Sequence, residues 1–137
     1  MILRATLLSL LLLSQAAGQN VLTRAIDIRT LPYERSLEKL PVDLTATIGF
    51  VESGGTAFVQ DNSAGTHLHF KPARRDLIVG DQVRVKGFTM AGLYLPGIDV
   101  TELQILGHGP APEPVRAGYE DLTTGRFHYQ RVSIEGL

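Results

Sequence analysis

Apolar and polar residues alternate along the middle of the chain, the pattern of strands with one buried face. Residues 42–51 show it most clearly, with Asp43, Thr45 and Thr47 on the polar side. The residues expected to face a core are Val42, Leu44, Ala46 and Ile48. Gly49 interrupts this strand, and a glycine inside a strand indicates a bulge or a sharp bend.

Four further strands are predicted, over residues 56–61, 66–70, 82–88 and 94–106, with Gly-rich turns between most of them. The last of these has Pro96 near its start, where an edge position tolerates proline. Five short strands at close spacing indicate a small barrel, because closure covers both the apolar face and the open sheet edges. We therefore predict an all-β fold, a small five-stranded OB-like barrel with a short N-terminal helix.

The helix is predicted within residues 31–40, where Pro32 suits the first turn and Leu37 and Leu40 would face the core. Residues 19–40 are thus a lead-in with a short helix, residues 41–107 the barrel, and residues 108–117 a Pro-rich linker. Residues 130–136 then repeat the pattern of residues 40–46. Residues 118–137 are therefore predicted to start a second, incomplete OB module.

Residues 1–18 have the pattern of a signal peptide. Arg4 precedes a short Leu-rich run, and small residues that suit cleavage follow at Ala16 and Gly18. The apolar run is shorter than the roughly 20 residues that a spanning helix needs. We expect an exported protein, periplasmic or extracellular, with no membrane span in the mature chain.

Charge and cysteine content narrow the classes of function. The chain has 13 Lys and Arg against 14 Asp and Glu, which disfavours a strong non-specific nucleic-acid binder. It has no cysteine, which excludes disulfides, Cys-zinc sites and thiol catalysis. We predict no cofactor.

The candidate ligand-binding residues are few. His67 and His69 leave the same face of a predicted strand, and a metal would need a third ligand, for which Asp61 and Asp76 are nearest in sequence. Two histidines are a weak metal signal, so no metal site is predicted. The other candidates are Arg84 and Lys86 on the fourth predicted strand and Tyr94, whereas Phe58 and Phe70 are interpreted as core. No catalytic motif surrounds a serine, and Asp61 and Asp81 are interpreted as turn residues, so no enzyme is predicted.

Several short runs together resemble a known family. They are residues 40–42 (LPV), 57–61 (AFVQD), 79–87 (VGDQVRVKG), 105–107 (ILG) before the Pro-rich linker, and 132–136 (VSIEG). They resemble the tandem OB-fold region of bacterial exported and periplasmic sensor proteins, the input modules of histidine kinases. That resemblance implies an extracytoplasmic ligand-sensing or protein-interaction module without catalytic activity. The alternative is an exported OB protein that binds oligosaccharide or single-stranded nucleic acid. A nucleic-acid partner is possible but not favoured, and the ligand or protein partner is otherwise unknown.

Overall fold

The computed structural model describes residues 20–136, so the predicted signal peptide lies outside the described residues. Five strands form a closed barrel in the order β1-β2-β3-β5-β4, which confirms the predicted all-β, OB-like class. The strands are β1 Pro41–Val51, β2 Thr56–Gln60, β3 Gly65–His69, β4 Asp81–Met90 and β5 Gly97–His108. Neighbouring strands are antiparallel except β3 and β5, which run parallel where they close the barrel.

The core follows the predicted alternation. Val42, Leu44, Ala46 and Ile48 of β1 are buried, and Val83 and Val85 of β4 face them from the neighbouring strand. The register between β1 and β2 shifts between Ile48 and Phe50, which confirms the bulge predicted at Gly49. Because side chains alternate across a strand, one extra residue sends Phe50 to the outer face of the barrel.

The lead-in contains two short helices, α1 Ala25–Arg29 and α2 Tyr33–Ser36. The sequence predicted only the second of them. The prediction that Leu37 faces the core was wrong, since its side chain is 53% exposed. The helix ends at Ser36 and Lys39 has a positive φ of 52°, so helical spacing does not continue from Leu37 to Leu40. Ile28 of α1 joins the core instead.

Strand β5 begins three residues later than predicted, at Gly97, which places Tyr94 in the β4–β5 loop, residues 91–96. The backbone at Gly97 lies close to β3, because a Cβ at this position would lie 2.3 Å from the His67 ring. The loop therefore folds over β3 before the strand starts. At its other end β5 extends to His108, one residue into the predicted linker.

The C-terminal part adds β6 Val115–Arg116, α3 Tyr119–Thr123 and β7 Val132–Ser133. Strand β6 lies within the predicted linker and pairs in parallel with β7, Val115 opposite Val132. The same parallel pairing joins Leu22 to Val42 at the start of the barrel. The lead-in arrangement therefore occurs twice, although the described residues do not complete a second barrel, and the second module stays a prediction. Within residues 20–136, no helix has both the length and the apolar content to cross a membrane.

The lead-in is joined to the barrel by the buried hydroxyl of Thr89, which accepts a hydrogen bond from the Leu40 N–H at 2.9 Å and donates one to the Ser36 carbonyl at 3.0 Å. We predict that Thr89→Val lowers the free energy of unfolding by about 1–3 kcal/mol, because both backbone groups lose their partner. Thr101→Val is the matched control, since the Thr101 hydroxyl is exposed. Equal midpoints for the two variants in urea unfolding would contradict this role.

Candidate functional site

A row of aromatic side chains crosses the outer face of the barrel from β1 to the β4–β5 loop. The ring centroids are 5.2 Å apart for Phe50 and Phe58, 4.9 Å for Phe58 and Tyr129, 4.3 Å for Tyr129 and His128, and 6.2 Å for His128 and Tyr94. We call these five residues the aromatic row. Such centroid distances are typical of interacting rings, so the row is one continuous series of ring contacts.

Phe58 is in this row and not in the core, so its sequence interpretation was wrong, whereas Phe70 is buried as expected. In β2 the buried residues are Ala57 and Val59, which places Phe58 on the outer face. Phe58 lies opposite Phe50 on β1 and opposite His67 on β3. The three side chains thus form a ladder across the outer face of three strands.

A C-terminal segment covers part of this face. We call residues 125–131 the strap. The strap contacts α1, β2 and β3. Arg29 of α1 donates hydrogen bonds to the carbonyls of Gly125 at 2.8 Å and His128 at 3.4 Å. The Gln60 side-chain oxygen accepts a bond from the Arg131 N–H at 3.1 Å. Gly65 lets the Tyr129 backbone approach β3, because a Cβ there would lie 2.6 Å from the Tyr129 carbonyl. The strap therefore belongs to the surface of the barrel.

His67 lies beneath the strap and the β4–β5 loop. Its side chain is buried, its ring is 5.1 Å from that of Tyr129, and its Nδ1 atom has no hydrogen-bond partner among the described residues. Burial lowers the pKa of His67 to about 4, and electrostatic repulsion from His69 and His128 contributes to a smaller extent. His67 is thus neutral at pH 7 and supports the aromatic row from below.

The proposed third metal ligands do not join the two histidines. The Asp61 carboxylate accepts hydrogen bonds from the N–H groups of Ser63 and Ala64 and from that of Ala25 in α1. Asp76 is held by Arg74, with a nitrogen to oxygen distance of 2.6 Å. Both carboxylates therefore have structural roles, and Asp61 is a turn residue as interpreted. Within residues 20–136, no group of three or more His, Asp or Glu side chains is arranged to hold a metal.

Arg84 and Lys86 lie on β4, which does not adjoin β2 or β3 in the barrel. Arg84 makes a bidentate ion pair with Asp43, with nitrogen to oxygen distances of 2.8 and 2.7 Å. Lys86 is opposite Glu102 on β5. The structure therefore does not bring these two cations to the aromatic row. Of the five predicted ligand-binding residues, only Tyr94 is a member of the row, and His67 lies directly under it.

Two grooves are candidate binding sites, one lined by the strap and one by Arg29, which holds the strap. The first has a volume of about 520 Å³ and lies on the β1–β2 side; its lining residues are Gly49, Phe50, Phe58, Val79, Ala111, Tyr129, Gln130 and Arg131. The second has a volume of about 330 Å³ and lies between the lead-in and the β4–β5 loop, with Arg29, Tyr33 and Tyr94 among its lining residues.

Sequence reasoning missed Phe50, although the bulge predicted at Gly49 implies an outward side chain directly after it. No local signal indicates Tyr129 or Arg29.

No protein-family model matches the sequence, and a search of curated proteins finds no significant match. Among solved structures, the chain is similar to the hypothetical protein ygiW from E. coli, with 17% sequence identity and a TM-score of 0.49. The similarity covers 62% of this chain and 89% of that chain. The function proposed below therefore draws on this chain's own residues.

We predict that the stability of the fold decreases as the pH falls from about 6.5 to about 4. The pKa of His67 is lowered to about 4 in the folded state, against an ordinary value of 6.5, so between these values the unfolded chain binds the additional proton. This titration leaves the free energy of unfolding unchanged above about pH 6.5 and lowers it by roughly 3 kcal/mol at pH 4.

His67→Phe should remove this part of the pH dependence, as measured by urea unfolding at a series of pH values. His69→Phe is the matched control, since His69 is a neighbour on the same strand face and is less buried. An unchanged slope between pH 4 and 6.5 in His67→Phe would show that His67 is already protonated in the folded protein.

We predict that Gly65→Ala releases the strap, because the added methyl group would overlap the Tyr129 backbone. Overpacking of this kind costs about 1–3 kcal/mol, so tryptic cleavage after Arg126 should become roughly tenfold faster or more. Gly54→Ala is the control, because a Cβ there meets nothing within 4 Å. Equal cleavage rates in the two variants would mean that the strap does not depend on Gly65.

Proposed function

We propose that this protein is a non-catalytic, extracytoplasmic binding module that recognises a partner protein through the first groove, beside Phe50. The observation that carries the proposal is the exposure of Phe50, whose side chain is 49% exposed at the edge of a 520 Å³ groove. Clusters of exposed apolar side chains on a protein surface often mark interaction sites. Val79, in the same groove, is 45% exposed.

The lining of the groove indicates the chemistry of the partner. Phe50, Phe58, Val79 and Ala111 offer an apolar surface, and Arg131 supplies a guanidinium at its edge. Arg131 has no carboxylate within 4 Å among the described residues, and its side chain donates only to the Pro112 carbonyl, at 3.4 Å. A protein segment with an aromatic or aliphatic side chain next to a carboxylate would satisfy both features.

Binding is favoured over catalysis by what the polar groups already do. Asp61 is engaged by backbone N–H groups, Arg84 by Asp43, and the buried Asp81 carboxylate by His108 and the Ile78 N–H. A reacting group needs access to a substrate, and these side chains are committed to the fold. A sensing role also agrees with the resemblance to the input modules of sensor kinases.

The alternative, an oligosaccharide or single-stranded nucleic acid, is supported by Phe50 and Phe58. Their rings are on the outer face, where sugars or bases stack on OB folds. The formal net charge of −1 makes a polyanion the weaker choice of the two polymers.

A phage-displayed heptapeptide library would test the proposal. We predict that selection on the mature protein enriches peptides that combine an aromatic or aliphatic residue with Asp or Glu. A chosen peptide should bind Phe50→Ala about tenfold more weakly, which corresponds to about 1.4 kcal/mol of lost contact. Phe88→Ala is the matched control, because Phe88 is a 43% exposed phenylalanine on β4.

Chitohexaose and a 12-residue oligo-dT serve as probes for the alternative. Binding of either polymer that depends on Phe50, in the absence of any enriched peptide, would replace the partner protein by a polymer. Peptide binding that Phe50→Ala and Phe88→Ala weaken equally would refute the first groove as the site.

A further inference from the structure

The second groove contains a positive charge without a counter-ion. Arg29 is partly buried, and no carboxylate lies within 4 Å of its guanidinium in the described part of the chain. Six other arginines each have an acidic partner: Arg24, Arg35, Arg74, Arg84, Arg116 and Arg126. Arg75 and Arg131 also lack an acidic partner among the described residues, but both are exposed, whereas Arg29 is partly buried at a groove.

The protein partners of Arg29 do not use all of its donors. A guanidinium has five N–H groups, and the hydrogen bonds from Arg29 go to the two strap carbonyls of Gly125 and His128. These carbonyls carry only partial charges, so they do not neutralise the cation. Burial holds the pKa of Arg29 below its ordinary value, which is the expected effect of removing a charge from water without a counter-ion.

Two tyrosines lie at the same groove. Tyr33 of α2 is 63% exposed and Tyr94 of the β4–β5 loop is 75% exposed. Each has a flat apolar face and a hydroxyl that donates a hydrogen bond, so each can contact both a ring and an oxyanion. At about 330 Å³, the groove is at the lower end of the roughly 300–1,000 Å³ range of ligand pockets, which favours a ligand of a single ring.

We propose that this second groove binds a small organic anion, a carboxylate carried on one ring, with Arg29 pairing to the carboxylate and Tyr33 and Tyr94 contacting the ring. The site is separate from the groove at Phe50, because the two grooves share no lining residue. Its ligand is a small molecule, so the protein would recognise two different kinds of partner at two separate grooves.

The experiment is a titration of the mature, isotope-labelled protein followed by backbone amide shifts. The probes are galacturonate for a sugar acid and benzoate for an aromatic acid, with galactose and benzyl alcohol as their neutral counterparts and inorganic phosphate as a ringless anion. We expect one of the two acids to bind with a millimolar or lower Kd and to shift the amides of the β4–β5 loop and the lead-in. The neutral counterpart and phosphate should bind at least tenfold more weakly.

Arg29→Gln should weaken binding of that acid at least tenfold. Because Arg29 also holds the strap, Tyr33→Ala is the second variant, and it should weaken binding severalfold while the strap amides keep their shifts. The matched controls are Arg24→Gln, an exposed arginine on the same lead-in, and Tyr119→Ala, an 81% exposed tyrosine outside the groove. Both should bind like the unaltered protein.

Four results would overturn the proposal. Three are no binding of either acid at 10 mM, equal binding of an acid and its neutral counterpart, and binding that Arg29→Gln and Tyr33→Ala leave unchanged. The fourth is equal affinity for phosphate and for the acid, which would show a non-specific anion contact that does not recognise the ring. Peptide binding is tested with Phe50→Ala, and acid binding with Arg29→Gln and Tyr33→Ala, so failure of one proposal is distinguishable from failure of the other.

Discussion

The weakest part of the barrel is its closure between β3 and β5, and much of the remaining structure is arranged around it. The two strands run parallel and pair through only Leu68 with Ile98 and His69 with Asp99. The first half of β3 therefore has no partner in β5, although backbone groups in a sheet need one. Helix α1 packs against both strands and buries Ile28 there, while the β4–β5 loop lies against His67. The lead-in and the loop thus complete the closure that strand pairing begins.

This arrangement explains why the strap and the aromatic row are where they are. Once α1 covers the closure, Arg29 at its C-terminal end reaches the strap carbonyls, and Gly65 at the start of β3 leaves space for the Tyr129 backbone. Tyr129 has a φ of 64°, a conformation that costs a non-glycine residue of order 1 kcal/mol and persists only where contacts hold it. Its ring contacts with Phe58 and His67 are those contacts. The outer face is therefore partly covered by the protein's own chain, and the first groove lies at the edge of the strap.

The sequence predicts what depends on local periodicity. The alternation in β1, the bulge at Gly49 and the five-strand barrel could all be derived, because a strand with one buried face repeats every two residues. Leu37 was misplaced because a four-residue helix is too short for helical spacing to determine which residues are buried. Phe58 was misplaced because an aromatic residue in a strand suggests core, whereas the phase of β2 is set by Ala57 and Val59. The contacts of Arg29 with the strap join residues nearly a hundred positions apart, and no local pattern carries that information.

Arg29 lies at the barrel closure, bonds the strap and lines the second groove. A ligand in that groove could therefore compete with the strap for the N–H groups of Arg29. Two of its five N–H groups serve the strap carbonyls, and a carboxylate that uses two of the others would not displace them. A bound anion would instead neutralise the positive charge that burial disfavours. It would therefore stabilise the Arg29 side chain in the position where it bonds the strap. Ligand binding and strap attachment should therefore reinforce each other. By linkage, a protein with its strap in place should hold the anion more tightly than one with its strap released.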